Sequence, residues 1–493
     1  IRDRSSSAYL RLNGSSTNAG NYETGSGIKP LTEYFTTDYS VILGTLLSDG
    51  SKVEFNYSDN KQNDVGYPGL KMDITYSYTD MYTFKYHKVT PFGIFSSINL
   101  ELFNTEIDHM MDDFTLRGRT MMDMFTTSTS DTYGGRFIGD IGSTTRAGID
   151  FENNQKDAQQ NMEMSNVNSL LAYLWPDVET EKLGIFIEKE IGNISLGLRY
   201  DQVELDPKKA ATDPGGMMFK TANEVYADAD SGGYAAATKR DFDNMSGFIR
   251  LNENLMGGES YISLSMNERA PDATELFNAK WNTNAMMRHV GNPHLSSEKH
   301  VTIEVGHNGM FMGSHITGSI FYNEVDDFVT THRVGDSSMK ARTYKNVDAT
   351  LYGYELTAHK VVAGIDTTLN LNYTRGEDDT QNRALPQIMP LAGDLTFELK
   401  SAKSNYGLRI NFADTQDRFD SNVLDVGETA GYTVYDIYAG FEPTPNLRFT
   451  VGMSNITDKR YATHLNATNT LDGAADRTDE PGRSLFGSIN YEF

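Results

Sequence analysis

The strongest constraint on the fold is the pattern of the last ten residues, SLFGSINYEF. Leu485, Ile489 and Tyr491 fall on one side of an extended chain, and Asn490 and Glu492 fall on the other. A period of two with aromatic residues predicts a strand with one apolar and one polar face. In lipid such a strand needs a partner on each edge, so the pattern predicts a closed transmembrane β-barrel.

Alternating runs of this kind recur along the chain. In one of them, Leu408 and Ile410 are expected to face outward while Arg409 faces inward. The sequence has no run approaching 18 apolar residues, so a transmembrane helix is not expected. One short helix is predicted, over Val167 to Leu174, inside a long loop. Together these features predict an all-β fold.

The connections between the alternating runs come in two lengths. Short turns carry Asp-Gly, Gly-Asn or Pro signals, as at 48–51, 191–193 and 442–446. Long polar connections lie at 59–78, 152–180, 202–242, 268–298, 375–393, 413–431 and 456–483. This asymmetry predicts an antiparallel up-and-down barrel of about 22 strands, with short periplasmic turns and long extracellular loops.

Composition narrows the possible partners. The formal net charge of −25 argues against a nucleic-acid partner and is typical of solvated outer loops or of cation capture. The sequence has no cysteine, so it holds neither a disulfide framework nor a thiolate metal site. Its 27 Tyr and 25 Phe suit strands and the aromatic girdles at the two interfaces with outer-membrane lipid.

The two termini lead to expectations about the extent of the chain. It begins with Ile1 and has no signal peptide, so a longer precursor is expected. The closing strand, which ends at Phe493, is expected to pair with a first strand within residues 7–13. On that basis residues 1–493 are expected to contain the whole barrel domain.

Five stretches resemble elements of the TonB-dependent outer-membrane receptors. They are Asn267 to Pro271 with Glu275 to Phe277 (NERAP and ELF), Gly291 to Leu295 with Glu298 (GNPHL and E), Asn346 to Glu355 (NVDATLYGYE), Gly452 to Tyr461 (GMSNITDKRY) and Pro481 to Arg483 (PGR). Their Gly, Pro and Asn residues are also sufficient to shape turns. The resemblance implies an active transport receptor in the bacterial outer membrane, expected to be a monomer.

The first half of the chain resembles one branch of that family, the copper receptors. The stretches are Tyr67 to Asp73 (YPGLKMD) and Asp108 to Arg117 (DHMMDDFTLR), which departs from the branch at Asp113, where Asn is common. In that branch a plug domain fills the barrel and carries the TonB-contacting segment. Nothing in residues 1–493 matches the plug or a TonB box, so contact with TonB is expected through a plug that lies outside this chain.

The residues themselves also point to copper. Soft thioether sulfur selects Cu(I), and imidazole binds copper in both oxidation states. His109 and Met111 supply both donors two positions apart, so on a strand they share a face. We expect these two to bind the metal, with Met162, Met164 and Met110 as possible additional contacts. The other methionines of the outer loops are expected to pack rather than ligate.

Other readings stay open. His289 lies between the ERAP and NPHL elements, where haem receptors keep an axial histidine, so haem is an alternative substrate, as are zinc and siderophores. A passive diffusion porin is the alternative of another class. The sequence shows no nucleophile with a convincing base, no P-loop and no dinucleotide fingerprint, so neither catalysis nor a resident cofactor is expected.

Overall fold

The computed structural model describes residues 2–4, 8–165, 167–215, 219–420, 425–468 and 477–492, and side chains from residue 8 onward. Its 24 strands form one sheet. The first twelve are β1 Arg2–Arg4, β2 Ala8–Ala19, β3 Tyr34–Leu46, β4 Lys52–Val65, β5 Asp73–Lys88, β6 Ser97–Asp112, β7 Asp123–Ile141, β8 Thr145–Met164, β9 Val167–Ile191, β10 Ile194–Pro207, β11 Arg240–Leu255 and β12 Gly258–Arg269. The others are β13 Ala279–Lys280, β14 His289–Val290, β15 Glu298–Phe311, β16 Ser314–Arg333, β17 Arg342–Val362, β18 Ile365–Asp378, β19 Arg383–Ala384, β20 Ala392–Lys400, β21 Ser404–Ala413, β22 Tyr432–Thr444, β23 Leu447–Ser454 and β24 Ser484–Tyr491.

The long strands build an up-and-down barrel wall, as the alternation predicts. Consecutive long strands pair antiparallel around the sheet, from β2–β3 to β23–β24. Turns of two to eight residues join them at the periplasmic end, while the longest connections, 208–239, 270–297 and 455–483, lie at the extracellular end. Among the described residues, helix occurs only in these loops and in the β16–β17 connection: α1 Ala222–Ala227, α2 Ala273–Phe277 and the 3₁₀ turns Ala229–Ser231, Ala285–Met287 and Val334–Asp336.

The two faces of the wall differ in chemistry. On β10, Leu198 is 64% exposed and faces outward, among the exposed apolar side chains of neighbouring strands. Its neighbour Arg199 faces inward. The Arg199 guanidinium donates two hydrogen bonds of 2.8 Å to the Asp150 carboxylate and also donates from Nε to the carboxylate of Asp201. An apolar outer face and a polar inner face are what a barrel in lipid requires. None of the helices in the described part of the chain is long and apolar enough to cross a membrane.

Two of the largest loops fold inward and have a core of their own. Leu276 and Phe277 of 270–297 are fully buried and pack with the wall residues Val203 and Leu205. Tyr226 of 208–239 is fully buried in a second cluster, and its hydroxyl donates to the carbonyl of Phe277. Val203 and Leu205 lie on the same face of β10 as Arg199, so this core sits on the lumen side. The loop core therefore narrows the extracellular mouth of the barrel.

Three sequence expectations need correction. Residues 167–174 are not a helix; they begin the 25-residue strand β9, which pairs with β8. The expected long loops at 59–78 and 152–180 are largely strand, with connections of only seven and two residues. The expected partner of the closing strand is also wrong, because Tyr9 to Arg11 of β2 pair with β1, and β24 pairs with β23 in the described part of the chain. Phe493 lies outside the described residues.

Candidate metal site

His109 and Met111 lie near the extracellular end of β6, and both side chains are half-buried. On β7, Ser128 stands opposite His109 and Thr126 stands opposite Met111. Leu102 is 41% exposed on the outer face of the same strand, seven positions before His109. Because side chains alternate between the faces, His109 and Met111 both point into the lumen.

Met72 brings a second sulfur to this face. It belongs to the 66–72 connection between β4 and β5, and its Sδ lies 3.7 Å from the hydroxyl Oγ1 of Thr126, which donates a weak hydrogen bond to it. Since Thr126 pairs directly with Met111, the Met72 thioether stands beside the same patch of wall. Met72 lies in the YPGLKMD stretch that resembles the copper receptors, and this position is the sequence signal that points to it.

Two further methionines extend the patch along the wall. Met124 lies two positions from Thr126 on β7 and so shares its face. Met162 of β8 stands directly opposite Met124. Met164 lies two residues further toward the tip of the hairpin and is 51% exposed. Met162 therefore lies on the same patch of wall as Met111, and Met164 lies at the outer margin of that patch.

Met110 lies on the other face of β6. It pairs with Tyr76 on β5 and with Thr127 on β7. The Tyr76 hydroxyl donates to Asp108, 3.4 Å away, which confirms that these side chains share the outer face. Met110 is therefore not brought together with His109 and Met111.

The acidic residues of the DHMMDD stretch shape the loop that follows β6. Asp112 is buried and accepts hydrogen bonds from the backbone N–H groups of Phe114 and Thr115, at 3.0 and 2.7 Å. Asp113 accepts from the backbone N–H of Met124 at 2.8 Å. An asparagine Oδ1 at position 113 accepts the same bond, so the departure from the copper-receptor pattern preserves the local structure.

His289 is held by other elements, in the inward-folded loop 270–297. Its Nδ1 accepts a hydrogen bond from Arg342 at 3.1 Å, and its ring lies 5.2 Å from that of Tyr344. Burial lowers the pKa of His289 to about 3, and the nearby positive charges of Arg342, Lys280 and Arg333 add to the effect. The imidazole is therefore neutral at physiological pH.

The donors of the candidate site are mainly sulfur. Among the described residues, no group of three or more His, Asp and Glu side chains is arranged to hold a metal ion. The patch consists of one imidazole and the thioethers of Met72, Met111, Met124 and Met162. Hard cations prefer oxygen ligands, so this set suits a soft ion such as Cu(I).

The family model with the description "TonB dependent receptor-like, beta-barrel" matches residues 2–456 of the chain. The chain belongs to the TonB-dependent receptor β-barrel family. This agrees with the receptor elements seen in the sequence and places the protein in the bacterial outer membrane. Receptors of this family depend on TonB.

Solved structures of receptors share the fold of this barrel. The copper transporter OprC superposes with a TM-score of 0.85 at 21% sequence identity, covering 99% of this chain and 76% of that one. The FrpB iron transporter from Neisseria meningitidis (F3-3 variant) superposes with a TM-score of 0.68 at 13% sequence identity, covering 100% of this chain and 78% of that one. A double mutant of the Serratia marcescens hemophore receptor HasR, in complex with its hemophore HasA and heme, superposes with a TM-score of 0.66 at 15% sequence identity. The superposition covers 99% of this chain and 76% of that one. At these identities the likeness shows the fold.

One curated relative is similar over a short stretch. The probable hemoglobin and hemoglobin-haptoglobin-binding protein 1 of Haemophilus influenzae is 32% identical over 116 residues. That stretch is 20% of the receptor barrel and only 10% of the relative.

Proposed function

We propose that this receptor imports copper, and that His109 and Met111 bind the metal on the lumen face of β6. The observation that carries the proposal is the meeting of imidazole and thioether donors on one patch of wall. Met72 reaches this patch from the 66–72 connection, within 3.7 Å of the residue that pairs with Met111. Soft sulfur with imidazole discriminates for copper over the hard cations that carboxylates collect.

The proposed transport mechanism is the one that membership of the receptor family implies. The ion or its complex enters through the extracellular mouth and is held by His109 and Met111, with further donors from a plug domain in the intact receptor. TonB, driven from the inner membrane, rearranges the plug, and the lumen provides the passage. The barrel contributes coordination and a route; no covalent step is involved.

Metal analysis of the intact receptor after equilibration with Cu(I) tests the proposal. We expect bound copper in the wild type and its loss in His109→Ala and in Met111→Ala. Met110→Ala is the matched control, because it removes a thioether from the adjacent position of the same strand but from the outer face. Unchanged copper content in both His109→Ala and Met111→Ala would contradict the assignment.

Haem is the second candidate, favoured by the hemoglobin-binding relative and by the position of His289. Haem ligation would use Nε2 of His289, since Nδ1 accepts from Arg342. That Nε2 is enclosed in the structure, which disfavours axial ligation. A Soret band on haem titration that disappears in His289→Ala would favour haem over copper.

A passive diffusion porin is the alternative of another class. Steady conductance of the intact receptor in planar bilayers would favour a porin over a TonB-dependent receptor.

A further inference from the structure

A second group of soft metal donors lies on three adjacent strands at the periplasmic end of the wall, beside the turns 312–313 and 363–364. Met310 of β15 stands directly opposite His315 of β16, and His315 stands directly opposite His359 of β17. Directly paired residues project from the same face of a sheet, with Cβ atoms about 4.5–5.5 Å apart. One thioether and two imidazoles therefore form a continuous row. We call Met310, His315 and His359 the exit row.

The exit row faces the lumen. Ile320 of β16 is 67% exposed on the outer face, so the adjacent Ser319 faces inward, as does Glu355, which pairs with it on β17. His315 lies four positions from Ser319, and His359 lies four positions from Glu355. Because side chains alternate along a strand, this even spacing puts both imidazoles on the lumen face.

A carboxylate sets the donor atom of His359. Nε2 of His359 donates a hydrogen bond to Oδ1 of Asp366 at 3.2 Å. Since only one ring nitrogen of a neutral imidazole carries a proton, Nδ1 keeps its lone pair for a metal. Metal-binding histidines commonly donate their other N–H to a carboxylate, which orients the ring and makes the ligand more basic. Asp366, whose other oxygen pairs with Lys400 at 3.0 Å, is therefore a positioning residue that acts through His359.

The other two members of the row are open to the lumen. Met310 is 52% exposed, and His315 is exposed as well. Within the described part of the chain, no hydrogen bond or ion pair engages the ring of His315. Methionine usually fills a core, but the next lumen-facing pair along these strands is polar: Thr317 donates to Asn308 at 2.9 Å. Both soft side chains are available to an ion in the lumen.

We propose that the exit row binds one Cu(I) ion. Thioether sulfur selects Cu(I) and imidazole binds copper, whereas the hard cations Ca²⁺ and Mg²⁺ require oxygen ligands. The row supplies one sulfur from Met310 and two nitrogens, from His315 and His359. That this ion is transported cargo rests on the proposed function, while the site itself does not. If copper is imported, the row is a second binding station, at the end of the lumen where the ion leaves for the periplasm.

Competition between the intact receptor and a chromogenic Cu(I) chelator, under reducing conditions, measures the number of bound ions and their affinity. We expect His315→Ala combined with His359→Ala to lose one Cu(I) equivalent relative to the wild type. Met310→Leu keeps the side-chain volume but removes the sulfur, so it should weaken this equivalent by at least about tenfold. His307→Ala is the matched control, because it removes an imidazole from the outer face of β15, three positions before Met310. Heat-modifiable electrophoretic mobility verifies that each variant has folded.

The positioning role of Asp366 has a separate test. Asp366→Ala should lower the Cu(I) affinity of the exit row by about 10–100-fold. Asp366→Asn keeps an oxygen acceptor for Nε2 of His359 and should restore most of that affinity. Both substitutions break the pair with Lys400, so a merely structural role would make them equally weak. Equal weakening would overturn the positioning role.

The exit row and the proposed function can fail separately. His109→Ala combined with Met111→Ala should leave the Cu(I) equivalent of the exit row in place, and loss of the exit row should leave the upper site occupied. The exit row is overturned if the His315→Ala and His359→Ala double variant binds as many ions, as tightly, as the wild type. It is also overturned if His307→Ala loses as much. Zn(II) bound by the row more tightly than Cu(I) would overturn its assignment to a soft ion.

Discussion

Arg117 and Asp73 form a two-pronged ion pair that ties the connection before β5 to the loop after β6. The guanidinium Nε and Nη2 donate to the two carboxylate oxygens of Asp73 at 2.6 and 2.8 Å. Arg117 also donates to the Tyr67 carbonyl at 2.9 Å. The pair therefore holds the Met72 segment against the strand end that carries His109 and Met111.

Breaking this pair should loosen the candidate metal site without unfolding the barrel. Asp73 is 2% exposed, so Arg117→Ala leaves a buried, unpaired carboxylate at a cost of about 3–5 kcal/mol to the local structure. Hydrogen exchange is expected to rise in 66–72 and 113–122, and copper retention is expected to weaken. Arg119→Ala is the control: Arg119 is 57% exposed, and its pairs with Asp123 and Glu163 should contribute about 0–1 kcal/mol. Equal effects of the two substitutions would contradict the proposed bracing.

A charged side chain on the outward face of the wall should destabilise the barrel. Ile320 of β16 is 67% exposed in the apolar outer belt, six residues from the strand's periplasmic end. Ile320→Arg is expected to lower the free energy of unfolding by about 2–4 kcal/mol, the cost of a guanidinium near the bilayer midplane. Ser319→Arg, one position away, faces the lumen opposite Glu355 and should be tolerated. Denaturant titration of both variants in phospholipid vesicles measures the difference, and a well-tolerated Ile320→Arg would contradict the assigned orientation.

The barrel wall was predictable because its signal is local. A period of two, as in Leu408, Arg409 and Ile410, assigns each side chain to a face without knowledge of its neighbours. The error over 167–174 arose where pairing along the whole of β8 extended the strands beyond the expected loop. Tertiary pairing there outweighed the local pattern.

The candidate site was predictable only in part. The spacing of His109 and Met111 placed both donors on one face, and the structure agrees. The approach of Met72 to Thr126 depends instead on the register of β5, β6 and β7, which includes an irregularity between Ile74 and Tyr76. Register across a bulge is set by the assembled sheet and has no signature in a single strand.

A glycine in the NVDATLYGYE element should be required for close strand approach. A Cβ on Gly353 would lie 2.1 Å from the backbone carbonyl oxygen of Tyr373 on the neighbouring strand. Gly353→Ala is therefore expected to force β17 and β18 apart locally and to lower stability by about 1–3 kcal/mol. Gly14→Ala is the control, since its nearest neighbour would be the Tyr39 ring at an ordinary 3.5 Å. Folding yield and denaturant midpoint distinguish the two, and equal midpoints would show that the sheet adjusts freely.

Acidification should weaken the inward-folded loop through His289. Its folded pKa of about 3 lies below the ordinary value of 6.5, so between these values the unfolded loop binds a proton that the folded loop does not. The stabilisation is therefore complete above about pH 6.5 and declines as the pH falls toward 3. Hydrogen exchange in residues 270–297, corrected for its intrinsic pH dependence, should rise on acidification in the wild type and change less in His289→Phe. His315→Phe, at an exposed strand end, should behave like the wild type. An equal response in His289→Phe would assign the pH dependence to other groups.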